Sequence, residues 1–464
     1  MIYSVAALAA TLAVSAAYDN HGASVQLFEW SWDDVAAECE TFLGPKGYKA
    51  VQVSPPQEHI QGSAWWTRYQ PVSYDLISRS GNETQFSSMI DRCAAAGVGI
   101  IVDSVINHMA AGSGTGTGGS TYGNRQYPIF GQQDFHHYDS SSSANCQVND
   151  YSDKYNVQYC DLVGLPDLLT SSEYVQSTIA AYLNKCASLG AVGFRIDAAK
   201  HQDAGELAGI TKRLDSSLYV AGEVIGAAGE AVTPDMYYGI GQVSEFYYSD
   251  YLCNNVKTEG NMKYFENFGP EWGLMPDQYA AVFIDNHDTQ RNDRAQLTYK
   301  DGGLYTFANI FMLAWDYGNA RVMSSYYFSD TDAGPPGVGV NGGSNCMDGN
   351  NWVCEHRWAP IANMVNWRNA AGTSSVENWQ TGNSNQIAFS RGGKAFIALN
   401  RGSDDWSATL QTSLSEGTYC NVVADADADN VKTCSDTVDV DSSGMASVRV
   451  SGLSAVAIHA NAKK

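Results

Sequence analysis

Four times along the chain an apolar, β-type run ends on acidic residues. Residues 98–102 lead into Asp103-Ser104-Val105-Ile106-Asn107-His108. Residues 191–194 lead into Arg195-Ile196-Asp197-Ala198-Ala199-Lys200-His201. Residues 218–221 lead into Gly222-Glu223-Val224-Ile225, and residues 280–284 into Asp285-Asn286-His287-Asp288. Short apolar runs of this kind read as buried strands. Acidic residues recurring at the C-terminal ends of successive strands are what a parallel α/β barrel places at its active face. In the second stretch, positions i and i+2 share one face of a strand, so Arg195 and Asp197 project together. A buried arginine beside an aspartate holds that carboxylate ionised, and an ionised carboxylate at a strand end is a candidate nucleophile. A structural ion pair fits the same two residues.

Together, in this order and with this spacing, the four stretches resemble the four sequence signatures of the α-amylase family of glycoside hydrolases, closest to its animal-type members. The resemblance covers nearly the whole chain. It implies a (β/α)8 TIM barrel at residues 18–108 and 170–371, an irregular domain B inserted at 109–169 after the third strand, and a C-terminal all-β sandwich domain at 372–464. It further implies hydrolysis of internal α-1,4-glucosidic bonds of starch, glycogen and malto-oligosaccharides with retention of configuration.

Taken in order, residues 23–30 read as the first barrel strand, 32–43 as a helix and 48–54 as the second strand, stopped by Pro55-Pro56. The loop at 57–80 carries Trp65-Trp66-Thr67-Arg68-Tyr69. Large aromatics are buried on average, so loop anchoring is one reading. The resemblance makes Trp65, Trp66 and Tyr69 a stacking platform for glucose rings. A helix at 83–96 and the third strand follow, and from 109 to 169 periodicity is lost. Residues 112–120 are Gly/Ser/Thr-rich and 140–143 are serines. Such a long irregular stretch inside a compact fold is usually functional, and the glycine-rich run lacks the G-x-x-x-x-G-K pattern of a phosphate loop. Helices are expected at 172–189, 202–214 and 304–315, and the remaining barrel strands at 218–224, 242–246, 280–284 and 320–325. Beyond residue 371 the period falls to two, with a β-hairpin at 386–399 turning on Arg391-Gly392-Gly393. Asp425, Asp427 and Asp429 imitate the start of an EF-hand loop but lack its glycine and flanking helices, so they read as a solvated turn.

The resemblance assigns roles residue by residue. Asp197 is the nucleophile, Glu223 the general acid and then base, and Asp288 the residue that orients sugar hydroxyls and supports an oxocarbenium-like transition state. Glu223 must start protonated while Asp197 is ionised. His108, His287, Tyr151, Arg195, Lys200, His201 and Ile225 fall on substrate-contact positions. A structural Ca²⁺ would be held by the side chains of Asn107 and Asp167 and by main-chain oxygens of Gln158 and His201, joining domain B to the barrel. A Cl⁻ activator would lie among Arg195, Asn286 and Arg321, beside Glu223, where it disfavours the ionised acid. Vertebrate relatives carry a glycine-rich mobile loop soon after the last signature. Here Gln290-Arg291-Asn292-Asp293-Arg294 runs on without it, so closure by such a loop is not expected.

Residues 1–17, apolar and ending Ser15-Ala16-Ala17, read as a secretory leader with an A-x-A-like cleavage site. Secretion makes disulfides the default for the ten cysteines. Close spacing suggests the pairs Cys146–Cys160, Cys346–Cys354 and Cys420–Cys434. The resemblance adds Cys39–Cys93, leaving Cys186 and Cys253 as free thiols. Asn82-Glu83-Thr84 is a glycosylation sequon. A net charge of −23 argues against nucleic acid and anionic membranes as partners, and a monomer is expected. Two other classes compete with the hydrolase: an inert amylase-like binding protein, which the intact Asp197, Glu223 and Asp288 argue against, and a glucan transferase or α-glucosidase on the same fold, which the animal-type flanks argue against.

Overall fold

Eight short parallel strands close into a barrel, each hydrogen-bonded to the next and the last to the first. The computed structural model describes residues 21–137, 146–292, 294, 297–424 and 431–464. The expected leader at 1–17, the serine run at 140–143 and the triplet Asp425, Asp427 and Asp429 lie outside the described residues. The barrel strands are β1 (Ser24–Leu27), β2 (Ala50–Val53), β3 (Gly99–Ser104), β4 (Gly193–Ile196), β5 (Tyr219–Gly222), β6 (Gln242–Ser244), β7 (Ala280–Val282) and β8 (Asn319–Ser324). Closure comes from β1 pairing with both β2 and β8, with Ser24 opposite Ala50 and Arg321. Most strand residues are buried on both faces, which is why they read as continuous apolar runs. Register does chemical work here: Asp103 on β3 is the cross-strand partner of Arg195 on β4.

Most strands are shorter than their apolar runs. The run at 242–246 ends as a strand at Ser244, and Phe246 instead opens the helix Phe246–Lys257, with the Glu245 carboxylate accepting from the Tyr247 N–H as its N-cap. A strand cannot continue where that cap turns the chain. The helix Trp32–Glu38 passes into a π-turn at Cys39–Leu43 rather than running on as α-helix. Asn82, the sequon residue, caps the helix Glu83–Ala95 through a capping box with Gln85.

The insertion after β3 is not wholly irregular. Ser113–Thr115 and Thr121–Gly123 pair as an antiparallel hairpin, and Lys154–Tyr159 is a helix. The glycines at the hairpin turn have a steric reason. The buried Glu58 carboxylate accepts the N–H groups of Gly118 (2.9 Å) and Ser120 (3.0 Å). A Cβ at Gly116 would lie 2.5 Å from Glu58 Oε1, and one at Gly118 2.9 Å from it. Backbone and carboxylate approach closely only because those side chains are missing.

The C-terminal part is two four-stranded antiparallel sheets. One has the order β9 (Val376–Thr381), β10 (Gln386–Arg391), β11 (Ala395–Asn400), β16 (Ser454–His459). The other runs β12 (Trp406–Gln411), β15 (Met445–Val450), β14 (Thr437–Val440), β13 (Gly417–Cys420). Phe396, Ala398, Trp406, Val448 and Ile458 form the core between them. The expected hairpin is β10–β11, with Gln386 opposite Asn400 and Gly392 at φ 57° in its turn. Where these strands meet the N-terminal end of the barrel, two buried arginines bind backbone carbonyls. Arg368 donates to the carbonyls of Trp315 (2.9 Å), Gly318 (2.8 Å) and His21 (2.9 Å). Arg391 donates to those of Ala314 (2.8 Å), Gly372 (3.0 Å) and Ser374 (2.5 Å). Several of these carbonyls lie at the C-terminal end of the helix Gly303–Ala314, where the last C=O groups lack intrahelical partners.

The disulfides Cys39–Cys93, Cys146–Cys160, Cys346–Cys354 and Cys420–Cys434 are all formed, while Cys186 and Cys253 are free and buried. No helix among the described residues is long and apolar enough to cross a membrane.

Candidate active site

At the C-terminal ends of the strands lies a cleft of about 330 Å³ lined by aromatic, imidazole and carboxylate side chains. Its floor is built on Arg195. That guanidinium, almost fully buried, donates from Nη1 to Asp103 Oδ1 (2.7 Å) and Asp197 Oδ1 (2.7 Å), and its Nη2 meets Glu223 Oε1 (2.5 Å). Three carboxyl groups therefore share one cation, and Asp288 is close enough to feel it. Immediately after Asp197 the chain adopts a left-handed turn at Ala198 (φ 47°, ψ 32°), a conformation a non-glycine residue takes at a cost. It aims the Ala198 N–H at Glu223 Oε2 (3.0 Å). Arg195 and Ala198 thus hold Glu223 from two sides.

Burial raises the pKa of Asp103, while the Arg195 charge opposes it. Burial also raises Asp197, opposed by Arg195 and reinforced by Glu223 and Asp103. Asp288 is pushed up to about 7, first by burial and then by Glu223, with Arg195 pulling it down. Burial and mutual repulsion thus favour the protonated forms of Asp103, Asp197 and Asp288, and the Arg195 charge opposes this. That is the electrostatic condition for an acid and a carboxylate to coexist in one site.

The two motif histidines are neutral. His287 lies well below the usual imidazole range because of burial and the Arg195, Arg291 and Arg321 charges. Gln26 Nε2 donates to its Nδ1 (3.0 Å), which leaves Nε2–H facing Asp288 Oδ2 at 3.2 Å. His108 is lowered to about 4 by burial, and its Nε2 donates to the Tyr69 carbonyl (2.9 Å). The aromatic wall is tied to both. Tyr69 stacks on His287 at 5.0 Å and donates its hydroxyl to Asp103 Oδ2 (2.9 Å). Trp65 stands edge-on to both rings and its indole N–H reaches Thr331 O (2.8 Å). Trp66 lines the same cleft.

Lys200, Tyr151 and Ile225 gather beside the strand end that carries Glu223, where the Lys200 N–H bonds Glu223 O (3.1 Å). Lys200 Nζ donates to Glu230 Oε2 (2.5 Å) and to the Ile225 carbonyl (2.6 Å), and lies 4.7 Å above the Tyr151 ring. The His201 ring is anchored through Nδ1 to Val157 O (2.9 Å).

A divalent cation fits the insertion's junction with the barrel. Asn107 Oδ1, Asp167 Oδ1 and Gln158 Oε1 are buried without a hydrogen-bond partner among the described residues. Asp167 is pushed well above the usual carboxylate range by burial and by Asp161. Buried oxygens without donors, one of them a carboxylate, are the ligand chemistry of a hard cation such as Ca²⁺. Backbone pairing brings two of these residues together, since the Leu168 N–H bonds Asn107 O (3.0 Å). Gln158 is expected to supply its main-chain oxygen, but its side-chain oxygen is also available. An anion fits the chloride set less directly. Arg195 and Arg321 are both buried and both act on His287. Arg321 donates to Gln52 Oε1 (2.5 Å), and Asn286 Oδ1 accepts the N–H groups of Asp288 (2.9 Å) and Thr289 (2.8 Å).

Sequence reasoning places Asp103 in a signature but gives it no role, although it completes the Arg195 cluster. It also passes over a second acidic pair behind the cleft. Asp285 binds Tyr305 (2.9 Å) and Gln290 (2.6 Å), while Glu355 binds the hydroxyl (2.5 Å) and N–H (2.7 Å) of Ser325. Burial pushes Glu355 up to about 7, and burial together with Glu355 raises Asp285. Neither has an ion-pair partner among the described residues.

A carboxylate cluster at the C-terminal mouth of a parallel barrel, walled by aromatic rings, defines a glycoside hydrolase of the barrel type. The "Alpha amylase, catalytic domain" family matches residues 47–219 and the "Alpha amylase, C-terminal all-beta domain" family residues 377–461. An α-amylase of Streptomyces violaceus is 47% identical over 94% of this chain and 73% of its own length. One of Tenebrio molitor is 42% identical over 95% of this chain and 97% of its own, and the pancreatic α-amylase of Sus scrofa 43% identical over 95% and 94%. Crystal structures of α-amylase I of Eisenia fetida, wild type and a mutant complexed with maltohexaose, superpose with a TM-score of 0.88 at 38% and 39% identity, covering 94% of this chain and 97% of theirs. The chain belongs to the α-amylase family, and its enzyme class is that of an α-amylase.

Proposed function

We propose that this protein is a secreted, endo-acting α-amylase that cleaves internal α-1,4-glucosidic bonds of starch and glycogen with retention of anomeric configuration. The observation that carries the reading is the Arg195 fork, whose two terminal nitrogens bind Asp197 and Glu223. Two carboxyl groups on one fork suit the close pair, about 5–5.5 Å apart, of a retaining enzyme. Asp197 attacks the anomeric carbon and forms a glycosyl ester. Glu223 protonates the departing glycosidic oxygen and then deprotonates the water that hydrolyses the ester. Asp288, steadied by His287 Nε2–H, accepts hydrogen bonds from sugar hydroxyls, and Trp65, Trp66 and Tyr69 stack on ring faces. The cleft runs between barrel and insertion, which suits binding within a chain, and four disulfides suit an oxidising compartment.

Asn107, Asp167, Gln158 and His201 would hold a Ca²⁺ that neutralises the buried oxygens joining insertion and barrel. Arg195, Asn286 and Arg321 would hold a Cl⁻ that offsets two buried cations near Glu223. Activity should then rise with chloride, and Arg321→Gln should abolish that response in a folded protein. Equal activity in chloride-free buffer across the pH range removes the chloride from this reading. The test of the function is incubation with soluble starch, following iodine colour and product anomer. Rapid loss of colour with α-anomeric malto-oligosaccharides supports it. Absence of hydrolysis, β-anomeric products, or longer glucans with few new reducing ends would refute it.

A further inference from the structure

Arg291 follows Asp288 by three residues, and its side chain turns back into the wall of the cleft. Nη1 donates to the His287 carbonyl (2.7 Å). Nε and Nη2 are buried without a well-directed hydrogen-bond acceptor among the described residues, although the Tyr326 hydroxyl interacts with the guanidinium. Otherwise the guanidinium faces aromatic rings: Phe328 at 4.2 Å, Phe28 at 5.1 Å, Tyr326 at 5.2 Å and Trp65 at 5.4 Å. Phe28 follows β1, Trp65 lies in the loop after β2, and Tyr326 and Phe328 follow β8. His287 itself stacks on Phe28 at 4.9 Å. One planar cation therefore joins the loops after four barrel strands, two of which carry Trp65 and Asp288.

We propose that Arg291 is a positioning residue for the hydrolytic reaction, holding the His287–Asp288 turn and the Trp65 platform in register through its aromatic cage. The proposal rests on the reading above that Asp288 and Trp65 meet the substrate. A guanidinium suits the role because its flat π-faces stack while its edge still donates to a carbonyl. Its charge acts as well as its shape. Asp288 faces Glu223 and Asp103, which raise its pKa, and Arg195 and Arg291, which lower it, with His287 Nε2 at 3.2 Å. Lys300, the other cation over Phe328 at 4.2 Å, is itself lowered by burial and by Arg291.

The test compares Arg291→Gln and Arg291→Lys with wild type on a chromogenic malto-oligosaccharide, reading kcat and KM against pH alongside the thermal midpoint. Glutamine keeps a donor but loses charge and stacking. It should lower kcat/KM roughly 10- to 100-fold, as expected for a displaced catalytic group, and move the acidic limb to higher pH because Asp288 loses a lowering charge. Lysine keeps the charge, so its acidic limb should stay in place while KM rises as the Trp65 cage loosens. Wild-type kcat, KM and pH profile in both variants would overturn the proposal, as would losses that merely track the folded fraction. If the glutamine variant does not fold, the lysine variant decides alone, an unchanged KM counting against. A wild type that fails to hydrolyse starch would sink the function itself. A hydrolysing wild type with indifferent Arg291 variants sinks only this inference.

Discussion

Arginine is buried at both ends of the barrel, and the two ends answer its charge differently. At the C-terminal end Arg195 is met by Asp103, Asp197 and Glu223. At the N-terminal end Arg368 and Arg391 are met by backbone carbonyls. A carbonyl cannot take up a proton, so these bonds satisfy backbone acceptors, while the Asp316 and Asp277 charges also act on Arg391. Carboxylates crowded round one cation can exchange protons, so the first arrangement carries chemistry as well as structure. Burial and hydrogen bonding are common to both ends; what the Arg195 cluster adds is three titratable partners on one cation.

The sharpest break of that contrast is at the nucleophile. Asp197→Asn should lower kcat by on the order of 10⁴-fold or more, because an amide cannot form the glycosyl ester. The fold should persist, since the amide oxygen can still accept from Arg195. Near-normal turnover in that variant would undo the role assigned to Asp197. Arg368→Ala should behave in the opposite way. It strands several buried carbonyls and should cost at least about 3 kcal/mol of stability, read as a lower denaturant midpoint, with kcat per folded molecule unchanged. A stable but inactive Arg368→Ala would erase the distinction between the two ends.

Smaller effects test buried carboxyls that lack an arginine. Chelation should remove the stabilisation a bound cation gives the native state, about 2.7 kcal/mol when the ion stands at 100 times its Kd. It should also expose residues 109–169 to protease; unchanged melting and cleavage after thorough chelation would remove the cation from the account. Glu355 gives the most specific signal. Its folded pKa of about 7 lies above the unfolded 4.5, so its contribution is fully present below pH 4.5 and is lost as pH rises through 7. Glu355→Gln should therefore match wild type near pH 4 and exceed its stability by up to about 3 kcal/mol at pH 8. Equal midpoints at both pH values would show that the pair with Asp285 is not strained at alkaline pH.

The barrel is legible in the sequence because its strands are buried on both faces and end on acids, a pattern that survives projection onto one dimension. Its strand ends are not, because polar caps such as Glu245 set them. The helix Ala359–Ala371 carries no clear polar face, since most of its residues are buried between the barrel and the C-terminal sheets, and sequence periodicity misses it. The hairpin at 113–123 hides in a glycine-rich run whose glycines answer to Glu58, some 60 positions away. Within the site, Asp197, Glu223 and Asp288 are legible from their signatures. Asp103 and Arg291 need the cross-strand register and the folded loops, because their partners lie on other strands.

Barrel closure also has a meaning for synthesis. The strand that begins at Ser24 finds its second neighbour at Arg321, about 300 residues later. At roughly 5–20 residues per second, a ribosome takes tens of seconds to make that partner, and until then one edge of β1 stays unpaired. An unpaired edge can template association with another chain. Four residues offer few free N–H and C=O groups, so the brevity of the first strand protects the nascent chain during the wait for its closing partner.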